Sequence, residues 1–217
     1  MIKNILAGAA LCSVIPAFAA TNLVTDGSFE SASLSAGTYA MYGGNSLDGW
    51  TALPGDLIEV RDDLVGSAQN GNNFVELDST HNSSMLTTIA TQAGQTYALS
   101  FWYSGRPDSK TYNTAFKSGK VPASSDGLGV NFGDGMIRVK SPTDTTSDNL
   151  WQEFTTLFTA TGSSTTLMFS AMGKSDSFGS SLDDISVLAV PEPTSMAMLG
   201  AGLLGLLGLG YRRSRGR

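Results

Sequence analysis

One cysteine and one histidine stand in the 217-residue sequence, and each scarcity excludes a kind of chemistry. Cys12 is the lone thiol, so the chain closes no disulfide of its own and builds no thiolate metal cage; stability in an oxidising compartment must come from packing or from a bound ion. His81 lies in the polar run Asp78-Ser79-Thr80-His81-Asn82-Ser83-Ser84, which reads as an exposed turn rather than a base held by a partner. A Ser-His-Asp device would need that histidine, and no nucleophile-elbow motif accompanies it. Basic side chains are few as well: between residues 21 and 190, 18 Asp and Glu stand against 8 Lys and Arg, a net charge of −10 compared with −6 for the whole chain. Such a polyanion repels nucleic acid and acidic polymers at long range and attracts calcium. Absent too, between those limits, is any sustained helical period with caps.

The two ends read as addresses. Lys3 precedes an apolar stretch over 5–15, and Ala17-Phe18-Ala19 supplies the small-x-small spacing of a signal peptidase site, so residues 1–20 are expected to be an export signal. Cys12 sits inside that stretch behind Leu11, where a lipoprotein signal would need a small residue, so lipidation is not expected. Residues 191–217 hold Pro191-Glu192-Pro193, an uncharged apolar run over 196–211, and then Arg212-Arg213-Ser214-Arg215-Gly216-Arg217. The run is short for a bilayer core of about 30 Å, and its arginines would stay on the cytoplasmic side. Motif, apolar helix and arginine cluster in this order resemble the PEP-CTERM sorting signal of Gram-negative bacteria, which implies processing by an exosortase and transient anchoring in the inner membrane. An ordinary tail anchor is the alternative. Gly200-Ala201-Gly202-Leu203-Leu204-Gly205 matches a dinucleotide-binding pattern in letters only, because it lies inside the apolar run with no preceding strand.

Residues 21–190 are the size of one domain, and its interior alternates with period two. In Tyr97-Ala98-Leu99-Ser100-Phe101-Trp102-Tyr103 the residues Tyr97, Leu99, Phe101 and Tyr103 share one face and Trp102 falls on the other. Similar short runs occur at 73–77, 128–132, 136–139, 154–158, 166–169 and 185–188, separated by turn formers such as Asn70-Gly71, Ala93-Gly94-Gln95, Gly133-Asp134-Gly135 and Thr161-Gly162-Ser163. Many short strands with Gly and Asn turns predict an all-β, two-sheet antiparallel jelly-roll sandwich. Residues 104–127 read as one long loop, of the kind that is functional or mobile.

Asn22-Leu23-Val24-Thr25-Asp26-Gly27-Ser28-Phe29-Glu30, Asp48-Gly49-Trp50, Ile58-Glu59-Val60, Gly71-Asn72-Asn73-Phe74-Val75-Glu76-Leu77, Gly94 to Phe101 and Ser181-Leu182-Asp183-Asp184-Ile185 occur in this order. Together they resemble the galactose-binding-like jelly rolls, and among these the cell-wall-associated domains of plants and bacteria and the bacterial carbohydrate-binding modules. The resemblance implies saccharide binding and a structural Ca²⁺ ion, without naming a sugar. For that ion it implies a backbone carbonyl from Ser28, to which the residues add Glu30 and Asp183: the chain ends of a jelly roll lie side by side, and Asp183 has the parity of the inward Ile185 and Val187. The alternative leaves Glu30 capping backbone N–H groups and Asp183 at a strand end in solvent.

Saccharide rings stack their C–H faces on exposed aromatics. Trp102, with Arg106 just past the strand and Tyr112 in the long loop, is the expected platform, and Tyr39 and Tyr42 would add to a rim. Packing of Trp102 beneath the 104–127 loop is the competing reading. Trp50 and Trp151 are expected in the core. Glu59, Glu76 and Glu153 could pair as glycosidase carboxylates, but acids are so plentiful that such pairs arise by chance. The sequence therefore points to an exported, non-enzymatic module at the cell surface or in extracellular matrix. Its partners would be a polysaccharide or cell-wall glycan, an exosortase, and the membrane before processing. The alternatives are a structural biofilm matrix protein with only protein contacts and, further off, a glycoside-active enzyme.

Overall fold

The computed structural model describes residues 21–107, 127–133, 135–140, 148–191, 200, 202 and 204. The expected signal peptide at 1–20, residues 108–126 of the expected 104–127 loop with Tyr112, Glu192, Pro193 and most of the apolar run lie outside the described residues. No helix among the described residues is long and apolar enough to cross a membrane.

Among the described residues eleven strands follow one another: β1 (Thr38–Gly43), β2 (Thr51–Ala52), β3 (Leu57–Asp62), β4 (Asn73–Glu76), β5 (Ser84–Ala90), β6 (Thr96–Ser104), β7 (Leu128–Phe132), β8 (Gly135–Val139), β9 (Gln152–Thr159), β10 (Ser164–Ala171) and β11 (Ser181–Ala189). They form a six-stranded sheet in the order β1-β3-β4-β11-β6-β9 and a five-stranded sheet in the order β2-β5-β10-β7-β8. Every pairing is antiparallel. The two sheets are the sandwich that the period-two alternation predicts, and all seven expected runs fall on strands.

Four strands lie outside those runs, β3 among them, whose Ile58-Glu59-Val60 entered only through the family resemblance. β1 contains Tyr39 and Tyr42, which loop-like surroundings disguise, and β2 has only two residues. In β5 the inward positions are Met85, Thr87 and Ile89, so a threonine interrupts the apolar signal.

Inward side chains of the two sheets meet in one core. Phe101 of β6 lies edge-on to Phe169 of β10 at 5.3 Å and stacks on Phe154 of β9 at 5.1 Å. Trp50 is 1% exposed and packs 5.6 Å from Phe29 and 6.0 Å from Phe169, and its Nε1 donates to Asp26 O at 3.0 Å. The polar end of this ring is thereby satisfied inside the core, as burial requires.

The start of the domain is stitched to its last strand. Leu23 N donates to Val187 O at 3.0 Å, Ile185 N to Gly27 O at 2.9 Å, and Asn22 bonds Ile185 O and Val187 N through its side chain. Gly27 permits this approach, because a Cβ there would overlap Ile185 O. β11 then carries a bulge: Asp184 and Ile185 together oppose Phe101, and Asp184 takes φ 47°. The bulge corrects the expected parity. Leu182, Ile185 and Val187 all point inward, so Asp183 faces outward beside its register partner Trp102. It is nevertheless 0% exposed, because the 69–70 backbone covers it.

Candidate functional site

The outer face of the six-stranded sheet gathers most of the residues in question. Register places Tyr39 opposite Arg61, Arg61 opposite Phe74, and Trp102 between Asp183 and Glu153; the neighbouring row runs Met41, Glu59, Glu76, Ser181, Ser104. Each residue alternates away from a core-facing partner such as Ile58, Val60, Val75 or Leu182.

The middle of this face is charged and closed. Arg61 Nε donates to Glu59 Oε1 at 2.7 Å, Arg61 Nη1 lies 2.7 Å from Glu76 Oε2, and Arg106 Nη1 donates to both oxygens of Glu76 at 2.8 and 2.9 Å. Gly179 N adds a bond to Glu76 Oε1 at 3.0 Å. Burial pushes the Glu76 carboxyl up, against the pull of the Arg61 and Arg106 guanidiniums, while Glu59 adds to the rise. Arg106, expected at a ligand rim, is 3% exposed; its Nη1 also donates to Ser177 O, and its Cζ lies 4.6 Å above the Phe178 ring. A guanidinium held in this way positions the 177–179 backbone over the sheet. Glu59 and Glu76 are cross-strand neighbours, but both are buried in ion pairs.

The flank at β6 and β9 is open. Trp102 is half-buried on the outer side, Glu153 and Thr155 of the edge strand β9 are exposed, and Ser100 is half-buried. The indole therefore offers part of its surface next to a carboxylate and hydroxyls. Trp151, expected in the core, stands on this outer face: it is half-buried, lies edge-on to Phe74 at 6.0 Å and donates Nε1 to Ser67 O at 3.0 Å. Of the expected rim tyrosines, Tyr39 is 53% exposed on β1, whereas Tyr42 packs against the core. An open groove of about 720 Å³ lies elsewhere, lined by 43–45 and 51–57, and has no aromatic ring in its lining. At its edge Asp56 Oδ1 is 3.2 Å from Nε2 of the exposed His81, whose Nδ1 is 3.1 Å from the adjacent Thr80 Oγ1. The histidine does have a partner, contrary to expectation, but the hydroxyl beside it is its own chain neighbour.

Glu30 and Asp183 grip one loop from two sides. Glu30 Oε1 accepts from Asn72 N at 2.9 Å and Asn73 N at 2.8 Å; Asp183 Oδ2 accepts from Gln69 N at 2.8 Å and Asn70 N at 2.9 Å, and its Oδ1 from Asp184 N at 2.6 Å. Desolvation raises the Asp183 carboxyl to about 7, despite those N–H bonds and with a further push from the charge of Asp184. Within the same loop Gln69 Oε1 and Asn73 Oδ1 are buried with no hydrogen-bond partner. Carboxylates and open amide oxygens are the donor chemistry of a hard cation, while the Glu30 and Asp183 oxygens also accept from backbone N–H groups, as the alternative reading has it for Glu30; Asp183 is buried and not at a strand end in solvent. No group of three His, Cys, Asp or Glu side chains converges among the described residues.

Comparison with known proteins follows the same outline. The family model described as "Protein of unknown function (DUF642)" matches residues 22–188, nearly the whole sandwich. The chain belongs to the DUF642 family. A second model, the PEP-CTERM protein-sorting motif, matches residues 189–214, directly after the DUF642 domain. That motif marks an exported protein of Gram-negative bacteria. None of the curated proteins matches the chain. Among solved structures the DUF642 domain is similar to a family 16 carbohydrate-binding module at 17% identity, covering 77% of this chain and 99% of that one with a TM-score of 0.49. It is also similar to a family 61 module solved with β-1,4-galactotriose, at 13% identity, 78% and 99% coverage and a TM-score of 0.46. A family 35 module from Clostridium thermocellum gives 11% identity, 70% and 99% coverage and a TM-score of 0.42. Some of the similar structures are glycoside hydrolases, among them an arabinofuranosidase of which the chain covers 26%.

Proposed function

We infer that the DUF642 domain is an exported, non-enzymatic module that binds polysaccharide on the open flank of the six-stranded sheet. The observation that carries this reading is Trp102: an indole half-buried on an outer sheet face, with Glu153 beside it to accept hydrogen bonds from hydroxyls. Chemistry on the glycan is disfavoured by the same face, since Glu59 and Glu76 are buried among arginines and Glu153 stands alone on the edge strand. An exosortase would process the chain near Pro191-Glu192-Pro193 and deliver it to the cell surface or matrix.

A glycan array probed with the full chain tests the reading. Retention without release of reducing ends supports a binding module, while release that depends on Glu153 would show an enzyme. Leu157, 61% exposed on the edge strand β9, favours the second reading, a matrix protein that makes protein contacts. Absence of retention across the array would leave that role as the better account. A calcium ion held by Ser28, Glu30 and Asp183 belongs to the same proposal. Millimolar calcium should raise the melting temperature by an amount that Glu30→Gln reduces, and equal responses in both proteins would remove the ion from this site.

A further inference from the structure

We propose that the turn at 78–82 and the segment 173–178 form a second binding site for a hard divalent cation, calcium being the ion that fits, with Asp78 Oδ1 and Asn82 Oδ1 as its side-chain ligands. The site is separate from Glu30 and Asp183. Asp78 and Asn82 oppose each other across an isolated antiparallel bridge, and Ser83 N closes the turn on Leu77 O at 2.8 Å. Residues directly opposite in such a pair project their side chains to the same side. Both side chains reach the same segment. Asp78 Oδ2 accepts from Asp176 N at 3.0 Å and Phe178 N at 3.2 Å, Asn82 Nδ2 donates to Gly173 O at 2.8 Å, and Asn82 N donates to Ser175 Oγ at 3.0 Å.

Each side chain is thereby left with one oxygen in hand. Asp78 Oδ1 and Asn82 Oδ1 are buried and have no hydrogen-bond partner, and Asp78 is 0% exposed. The donation of Asn82 Nδ2 to a carbonyl fixes which amide atom is the oxygen. A carboxylate oxygen withheld from both water and donors is costly. The two acceptors belong to side chains on the same side of one bridge, and a positive centre shared by them removes the cost of both. The ligand atoms are hard oxygens and no thiol is present, so the chemistry selects an alkaline-earth ion over a transition metal. Asp176, paired with Lys174 at 3.5 Å, adds a second carboxylate to the segment. With carbonyls and waters completing the shell and little formal charge among the ligands, affinity is expected in the range of extracellular calcium modules, on the order of 10⁻⁴–10⁻³ M.

The ion would act on the closed middle of the outer face. Gly179 lies against Asp78, leaving only 2.9 Å between a Cβ there and the Asp78 Cβ; Phe178 underlies Arg106, and Gly179 N bonds Glu76. Pinning 173–178 to the turn after β4 thus holds in register the backbone that seals the Glu76–Arg106 pair.

The test uses full-length chains carrying Glu30→Gln, so that an ion at Glu30 and Asp183 contributes less. After chelator treatment, calcium titration by calorimetry and melting should show a saturable response that Asp78→Asn abolishes. Asn82→Asp should tighten the apparent Kd at least about tenfold, because a second formal charge joins the ligand set. A buried water bridging the two oxygens is the competing account. Under it, Asn82→Asp sets two carboxylates side by side, lowers the melting temperature and is not rescued by calcium. That result, or an undiminished calcium response in Asp78→Asn, would overturn the proposal. Should Asp78→Asn fail to fold, the sign of the Asn82→Asp response decides by itself.

Discussion

Trp102 and Arg106 are four residues apart, and their substitutions are expected to fail in different ways. Trp102→Ala removes part of an exposed ring while Leu99 and Phe101 keep the core, so the protein should fold and lose about 1–3 kcal/mol of saccharide retention in an affinity assay. Arg106→Ala leaves Glu76 buried with one guanidinium fewer, and the loss should appear as about 3–5 kcal/mol in a denaturant melt instead. Equal retention by wild type and Trp102→Ala would move the glycan site elsewhere. Asp183 gives a pH signature. Its folded pKa of about 7 lies above the ordinary carboxyl value of 3.8, so the folded state holds the proton more tightly. The group then costs stability progressively as pH rises from about 4 to about 7, and adds no further cost above that. With chelator present, the stability of Asp183→Asn relative to wild type should grow by about 1.4 kcal/mol per pH unit in that window. A difference that stays flat with pH would contradict the burial argument. The outward position of Trp102 was legible because strict alternation decides it. The enclosure of Arg106 was not, since it depends on Glu76 and Phe178, 30 and 72 positions away in the chain.

At the scale of elements, alternation gave the right faces along β6 and the wrong one for Asp183 in the bulged β11. The parity argument for Asp183 counted back from Ile185 and Val187, and the extra residue at Asp184 reversed it; nothing local in Leu182-Asp183-Asp184-Ile185 announces a bulge, which answers to the pairing with β6. The meeting of the two chain ends was legible, yet Glu30 and Asp183 meet through the 69–73 loop that both hold. Gly27 is where this closure is most exposed to substitution. The atom that would meet a new Cβ is the backbone oxygen of Ile185, in a core strand flanked by β4 and β6, so neither side can yield. Gly27→Ala should destabilise the domain by about 2–3 kcal/mol, read as a lower denaturation midpoint at unchanged m-value. An unshifted midpoint would mean that the first segment is not packed on β11 in solution.

For the whole molecule, the junction between sandwich and sorting signal matters most. β11 ends at Ala189, Val190 N donates to Thr96 O at 2.9 Å, and Pro191 is exposed. Pro191, the first residue of the Pro-Glu-Pro motif, thus lies exposed just where the last ladder bond stops. Replacing Pro191, Glu192 and Pro193 with alanine should leave an unprocessed, membrane-held precursor on fractionation; mass spectrometry that finds Arg217 on the wild-type surface protein would refute processing.

The position of β11 has a mechanical consequence. It lies inside the six-stranded sheet, between β4 and β6, and runs antiparallel to both. A tether pulling beyond Val190 would load this strand along its own axis, so the hydrogen bonds to β6 and β4 would resist together, in shear, instead of unzipping one by one. The stitched first segment at Asn22 and Leu23 reinforces the same strand. A domain hung from this point in flowing water would bear its load on the best-anchored strand it has.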